Sequence, residues 1–303
     1  MSGILRRASA VRLAVLPLPA LGLLALAALL LLPDPGGPSA GPRQATHPVT
    51  SYDARAFSLA LEKTAGMPVV PMPDARAIVV PHHWLAGHLI LSSLRDLSSG
   101  TRYDRVILIG PDHVGAASAG AVTSDLPWET PFGLLRPDTE SVSRLAASDA
   151  VRLEPDTLSD EHSLAGIVPA IAYYLPDAEI VPLALRHDLD IGQVRALAGT
   201  LAPLLDDDGT VIVASVDFSH YLSAAEARAR DAETLAAMGA MDSQAILSFG
   251  DEHLDSPPTV TLVTELMRSR GAGEFQLRQN TNSGDLFGSF SPPVTSYIAG
   301  YYR

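Results

Sequence analysis

Three short aliphatic runs do most to limit how this chain can fold: Val79-Val80, Ile107-Leu108-Ile109 and Val211-Ile212-Val213. Each is too short for a core helix and lacks the polar alternation of a strand with one wet face. Runs of this kind suit strands buried on both sides, as in a parallel sheet covered by helices. The flanking pattern predicts strands over 78–80, 105–109, 119–123, 179–183, 210–215 and 294–300. Helices are expected over 53–63, 88–97, 139–147, 164–174, 191–204, 224–241 and 256–268, the last with Pro257 and Pro258 in its tolerant first turn. Strands interleaved with helices imply an α/β fold, a three-layer sandwich with a mostly parallel central sheet.

Four histidine-bearing segments fall where strands or loops should end: Pro81-His82-His83, Gly110-Pro111-Asp112-His113, Asp160-Glu161-His162-Ser163 and Asp217-Phe218-Ser219-His220. In an open α/β sheet, ligands bind beyond the carboxyl ends of the strands. Imidazole is the commonest protein metal ligand and titrates nearest neutrality. His82 and His113 follow successive strands, so their rings should be neighbours able to share a metal. Gly110 would allow a close approach, and Pro111 would stiffen the turn. In the third segment Asp160 or Ser163 could cap a helix with Glu161 beside its dipole, but capping gives no reason for His162, which is assigned to the pocket. Asp217 could orient an imidazole and His220 could exchange a proton, unless Asp217 merely caps a helix starting at Phe218.

Composition limits the partners. The 303 residues are 47% hydrophobic and carry a net charge of −13, which argues against nucleic acid, since that partner needs a basic face. With no cysteine, disulfides and thiolate chemistry are excluded. Arg6, Arg7 and Arg12 precede an apolar run over 13–32. Roughly 20 apolar residues suffice to span a bilayer, and flanking arginines favour the cytoplasmic side. The expectation is a signal anchor over 1–32, a Pro/Gly-rich linker over 33–50 and a domain over 51–303. That domain would lie outside the cytoplasm, in the periplasm or beyond the cell, with a cleaved secreted form as the alternative.

Taken in order, the four segments resemble the Memo-like family, also described as AmmeMemoRadiSam system protein B. That family carries Pro-His, Gly-Pro-Ser-His, Asp-Glu-His-Ser and Ser-Asp-(Leu or Phe)-x-His-(Tyr or Trp), matched here by Pro81-His82, Gly110–His113, Asp160–Ser163 and Val216–Tyr221. Thr123–Leu126, Thr130–Gly133, Ser283-Gly284-Asp285 and Val294–Gly300 add to the likeness, which spans about 75–300.

The resemblance implies a fold like that of class III extradiol ring-cleavage dioxygenases, with metal ligands at His82 and His113. A family cysteine is the third ligand, and the matching region here reads His253-Leu254-Asp255-Ser256. Asp255 is therefore taken as its replacement, giving two imidazoles and one carboxylate as in non-haem iron sites. The segment after His82 is also shorter than the family's. The expected function is metal binding, with a redox or dioxygenase-type reaction of a non-haem iron-dependent oxidoreductase on an unknown small molecule. The ion would be divalent, iron foremost, with copper or zinc as alternatives, and His162, His220 and Asp217 would serve catalysis. Two other readings stand beside it: a binding module without catalysis that holds a peptide in its cleft, and a zinc hydrolase.

Overall fold

The computed structural model describes residues 45–49, 51–288 and 293–303. Twelve strands form among them: β1 His47–Pro48, β2 Ala77–Val80, β3 Arg105–Pro111, β4 Ala121–Thr123, β5 Trp128–Thr130, β6 Gly133–Leu135, β7 Val151–Leu153, β8 Glu179–Leu185, β9 Thr210–Ser215, β10 Phe218–Leu222, β11 Phe275–Asn282 and β12 Val294–Tyr302. Nine of them make the main sheet in the order β10-β12-β2-β9-β3-β8-β4-β7, with β11 also paired to β12. The centre of the sheet, β2-β9-β3-β8, is parallel throughout. Its margins are mixed, because β12 runs antiparallel to β2, β10 and β11, and β4 antiparallel to β8. The sheet is thus parallel where the long aliphatic runs lie and mixed outside them.

Side-chain alternation makes the three layers. On β3, Ile107 and Ile109 enter one core while Val106 and Leu108 enter the other. β9 repeats this, with Ile212 and Ala214 against Val211 and Val213. The first core is closed by helices Ile191–Leu201 and Pro257–Ser269, the second by Ala54–Ala65, Gly87–Gly100 and Val168–Tyr174. Each fully buried aliphatic side chain contributes about 1.5–3 kcal/mol, so these four central strands form a rigid base.

Local signals explain the helix starts. Asp53 caps Ala54–Ala65, Asp190 and Gln193 form a capping box for Ile191–Leu201, and Ser223 and Glu226 form another for Ala224–Gly239. Ser256 caps the helix that opens on Pro257 and Pro258. The expected helix over 164–174 is two pieces, His162–Ala165 and Val168–Tyr174. The possible helix at Phe218 is instead β10, so Asp217 caps nothing there. The turn-rich stretch after Trp128 is a small hairpin, β5–β6, joined by β1.

The membrane anchor and extracytoplasmic placement expected from the sequence are corrected. Residues 1–32 lie outside the described residues, and among those described no helix is long and apolar enough to cross a bilayer. Of the stretch expected as linker, His47 is fully buried and Pro48 pairs with β5.

Candidate metal centre

His82 follows β2, Asp217 follows β9 and His113 follows β3. These strands are neighbours and parallel, so all three side chains arrive at the same edge of the sheet. Asp255 arrives from the loop before Pro257–Ser269. Its backbone N–H donates to the Asp217 carbonyl (3.1 Å), and the Asp217 N–H donates to Asp255 Oδ2 (3.2 Å). A bridge between Phe218 and Leu254 continues this pairing.

The two imidazoles are each held from behind. His82 Nδ1 lies 3.2 Å from Ser215 Oγ, whose hydroxyl donates to the Ser163 carbonyl at 2.6 Å. With its proton committed, Ser215 accepts from His82, and Nδ1 carries the hydrogen. His113 Nδ1 lies 2.8 Å from Glu161 Oε1, and the same carboxylate accepts the His113 and Ser163 backbone N–H groups at 2.8 Å each. Glu161 is buried, and its pKa is lowered to about 2: burial opposes ionisation, and hydrogen bonds from His113 and Ser163 overcome it. A carboxylate behind a ring is the usual way to fix a metal-binding histidine's tautomer.

Both Nε2 atoms therefore face forward, to a shared carboxylate. Asp255 Oδ2 is 3.2 Å from His82 Nε2 and 3.6 Å from His113 Nε2. The two rings are nearly perpendicular at 85°, with centroids 5.2 Å apart. Burial would lower the His82 pKa, but the charges of Asp217 and Asp255 raise it. His113 is also opposed by burial, yet hydrogen bonds to Asp255 and Glu161 carry it up to about 10. Asp255, despite its burial, is held well below the usual carboxylate range by His82 and His113.

The donor set fits a divalent cation. Two ligand atoms bound about 2.1 Å from one ion at 90–110° stand roughly 3.0–3.4 Å apart; the 3.2 Å separation falls within that range and the 3.6 Å separation just outside it. An ion there would replace two Nε2 protons with an equal charge. Among the described residues Asp255 Oδ1 is buried with no hydrogen-bond partner, which leaves lone pairs on that oxygen for a cation. His82, Asp217 and Asp255 form one group with metal-ligand spacing, and His82, His113 and His162 form another.

The remaining candidates surround this point. His162 stacks on His113 at 4.2 Å and is half exposed; burial and the neighbouring imidazoles lower its pKa. His220 lines the cleft with its Nδ1 buried and unpartnered. Asp217 accepts the His82 backbone N–H at 3.0 Å with Oδ1, and its Oδ2 stands 3.8 Å from the His82 Nε2. His253 points away, bonded to Glu233 at 2.9 Å and stacked on Phe249. The cleft holds about 480 Å³ and is also lined by Ser51, His83, Trp84, Gly166 and Thr295.

Three participants are not visible as such in the sequence. Glu161 was assigned to a helix dipole, and it does cap His162–Ala165, but it also holds His113. Ser215 lies within an apolar strand, and Tyr297 in β12 bonds His83 Nδ1 at 2.8 Å. Gly110 does permit a close approach, though by protein: a Cβ there would stand 2.6 Å from Ser163 Oγ.

Comparison with known proteins agrees with this architecture. Residues 43–301 match the family model described as "Memo-like protein". A MEMO1 family protein of Aeropyrum pernix is 30% identical over 75% of this chain and 82% of its own length. One from Methanopyrus kandleri is 27% identical with the same coverage. Among solved structures, the uncharacterized protein JW3007 from Escherichia coli K12 aligns over 74% of this chain and 98% of its own, with TM-score 0.50 and 13% identity, a likeness of fold. With five-sixths of its length inside that family model and its four histidine segments lining one cleft, the chain belongs to the Memo-like family.

Proposed function

We propose that this chain binds a divalent metal, iron foremost, through His82, His113 and Asp255, and performs a redox reaction of dioxygenase type on a small molecule in the cleft. The observation that carries the reading is the paired orientation of the imidazoles. Each has Nδ1 tied behind, to Ser215 or Glu161, and Nε2 turned to one carboxylate. Two histidines and a carboxylate with room beside them form the arrangement that suits ferrous iron. Such an ion, when bound, supplies redox capacity and open coordination positions.

The protein's own groups supply the rest. Asp217 fixes the backbone at His82, and Glu161 fixes the His113 ring. His162, its pKa lowered and its ring half exposed, is neutral near pH 7 and able to take a proton from a substrate hydroxyl. His220, with Nδ1 lacking a partner, is the second candidate for that transfer. Metal content of the full chain and dioxygen uptake test the reading. One ion per chain is expected, with its loss in a His82→Ala/His113→Ala double variant. Unchanged loading in that variant would refute the assignment.

A further inference from the structure

His83 takes no part in holding Asp255, yet it lines the same cleft from an exposed position. Its Nδ1 is 2.8 Å from the hydroxyl of Tyr297, a fully buried side chain. A phenol carries its proton at neutral pH and donates it where it can. Among the described residues, His83 Nδ1 is the one hydrogen-bond partner of that hydroxyl. Tyr297 therefore donates and Nδ1 accepts, which leaves the hydrogen of a neutral His83 on Nε2. Among the described residues Nε2 has no partner.

Strand alternation adds a second donor. Thr295 and Tyr297 are two apart on β12 and so share one face of the strand. Thr295 also lines the cleft, and its hydroxyl has no partner among the described residues. His83 and Thr295 thus add two hydrogen-bond donors to the lining of the cleft that His82, His113 and Asp255 also line. Among the described residues, the carboxylates lining the cleft are Asp217 and Asp255, each already accepting a backbone N–H. No other acidic side chain among the described residues lines it, in a protein of net charge −13. Trp84 flattens one side, its Nε1 already spent on the Gly166 carbonyl at 3.0 Å.

We infer that His83, aligned by Tyr297 and seconded by Thr295, binds the carboxylate of a small organic acid and so sets which molecules enter this cleft. This deepens the metal-centred reading of the same site by naming the substrate class. Tyr297 acts through His83 and is a positioning residue; His83 and Thr295 touch the ligand.

Side-chain nitrogen NMR on the full chain, both chelator-treated and zinc-loaded, reads the tautomer. His83 is expected to carry its hydrogen on Nε2 in both forms, and Tyr297→Phe is expected to mix the tautomers. Titration with benzoate, with benzyl alcohol as the neutral control, reads the ligand class. Benzoate is expected to bind in preference to the alcohol, about tenfold more weakly in His83→Ala, with recovery in His83→Gln, which restores an N–H. Thr295→Val is expected to weaken it by a smaller factor. Metal content in the His83 variants is expected to equal that of the wild type, so failure here is separable from failure of the metal reading. A hydrogen on Nδ1, no benzoate binding by the wild type, or equal binding by His83→Ala would each overturn the proposal.

Discussion

His47 and His113 are both histidines held by two polar partners, and the contrast between them separates a structural imidazole from a proposed metal ligand. His47 gives Nδ1 to Ser159 at 2.7 Å and Nε2 to Ser124 at 2.6 Å, with Trp128 against its face at 4.2 Å. Both nitrogens are spent on neutral hydroxyls of its own scaffold. Burial lowers its pKa to about 4, so it stays neutral and pins β1 beside β5. His113 spends one nitrogen on an ionised carboxylate and turns the other to a carboxylate that His82 also approaches. Burial alone does not mark a functional histidine. What marks it is one nitrogen fixed by the scaffold and the other directed to a group shared with a second ring.

The strongest test of this contrast is Asp255→Ala. Removing the shared carboxylate takes away the proposed third ligand, and the loss of metal affinity is expected to exceed the roughly 10–100-fold typical of changes behind the ligands. Metal content and a competitive chelator titration check it. In the same assay His47→Gln should leave affinity unchanged while lowering stability by about 1–3 kcal/mol through its unpaired serines. Metal lost equally in both variants would erase the distinction.

A middle-sized effect is expected from Glu161→Gln. The amide oxygen still accepts from His113 Nδ1, but the charge is gone. Affinity should fall by about 10–100-fold, with stability less affected than in Glu161→Ala.

The smallest effect is in the pH dependence of the chelator-treated protein, followed by thermal unfolding. His113 is raised from 6.5 to about 10 in the fold, so its contribution is complete below pH 6.5 and fades as pH rises through 10. His47 runs the other way: lowered to about 4, it gives full stability above pH 6.5 and loses it as pH falls from there to 4. His113→Ala should shrink the alkaline slope, which His82 with its raised pKa shares, and His47→Gln should shrink the acid one, which His88 with its lowered pKa shares. A metal ion competes with the His113 proton, so loading should flatten the alkaline side.

Much of this was legible in the sequence because the parallel strands are aliphatic on both faces. β9 was placed over 210–215 as observed, and β3 and β8 were found but ended two residues early. His82 and His113 followed from strand adjacency, and Asp255 from the family pattern; all three meet at one point. What escaped was mostly polar or marginal. β7, β10 and β11 carry Arg152, His220 and Gln276 among their residues, and their pairing at the sheet margins gives a weak local pattern. Glu161 lies 48 residues from the ring it holds, and each of its neighbours is a plausible helix cap. Ser215 and Tyr297 look like ordinary strand residues until their partners are known. The apolar run over 13–32 was judged on its length, its hydrophobicity and the arginines before it, and the placement built on it is the part withdrawn.

The parallel centre of the sheet has a further consequence. Strand ends, connecting segments and the short helices that follow them line the cleft at that one rim, whereas the cores lie within the layers below. Insertions, deletions or exchanges in those connecting segments can therefore remodel what the rim accepts while the buried strands keep their register. The foundation is conservative and the superstructure is replaceable, which lets one scaffold acquire new selectivities without refolding.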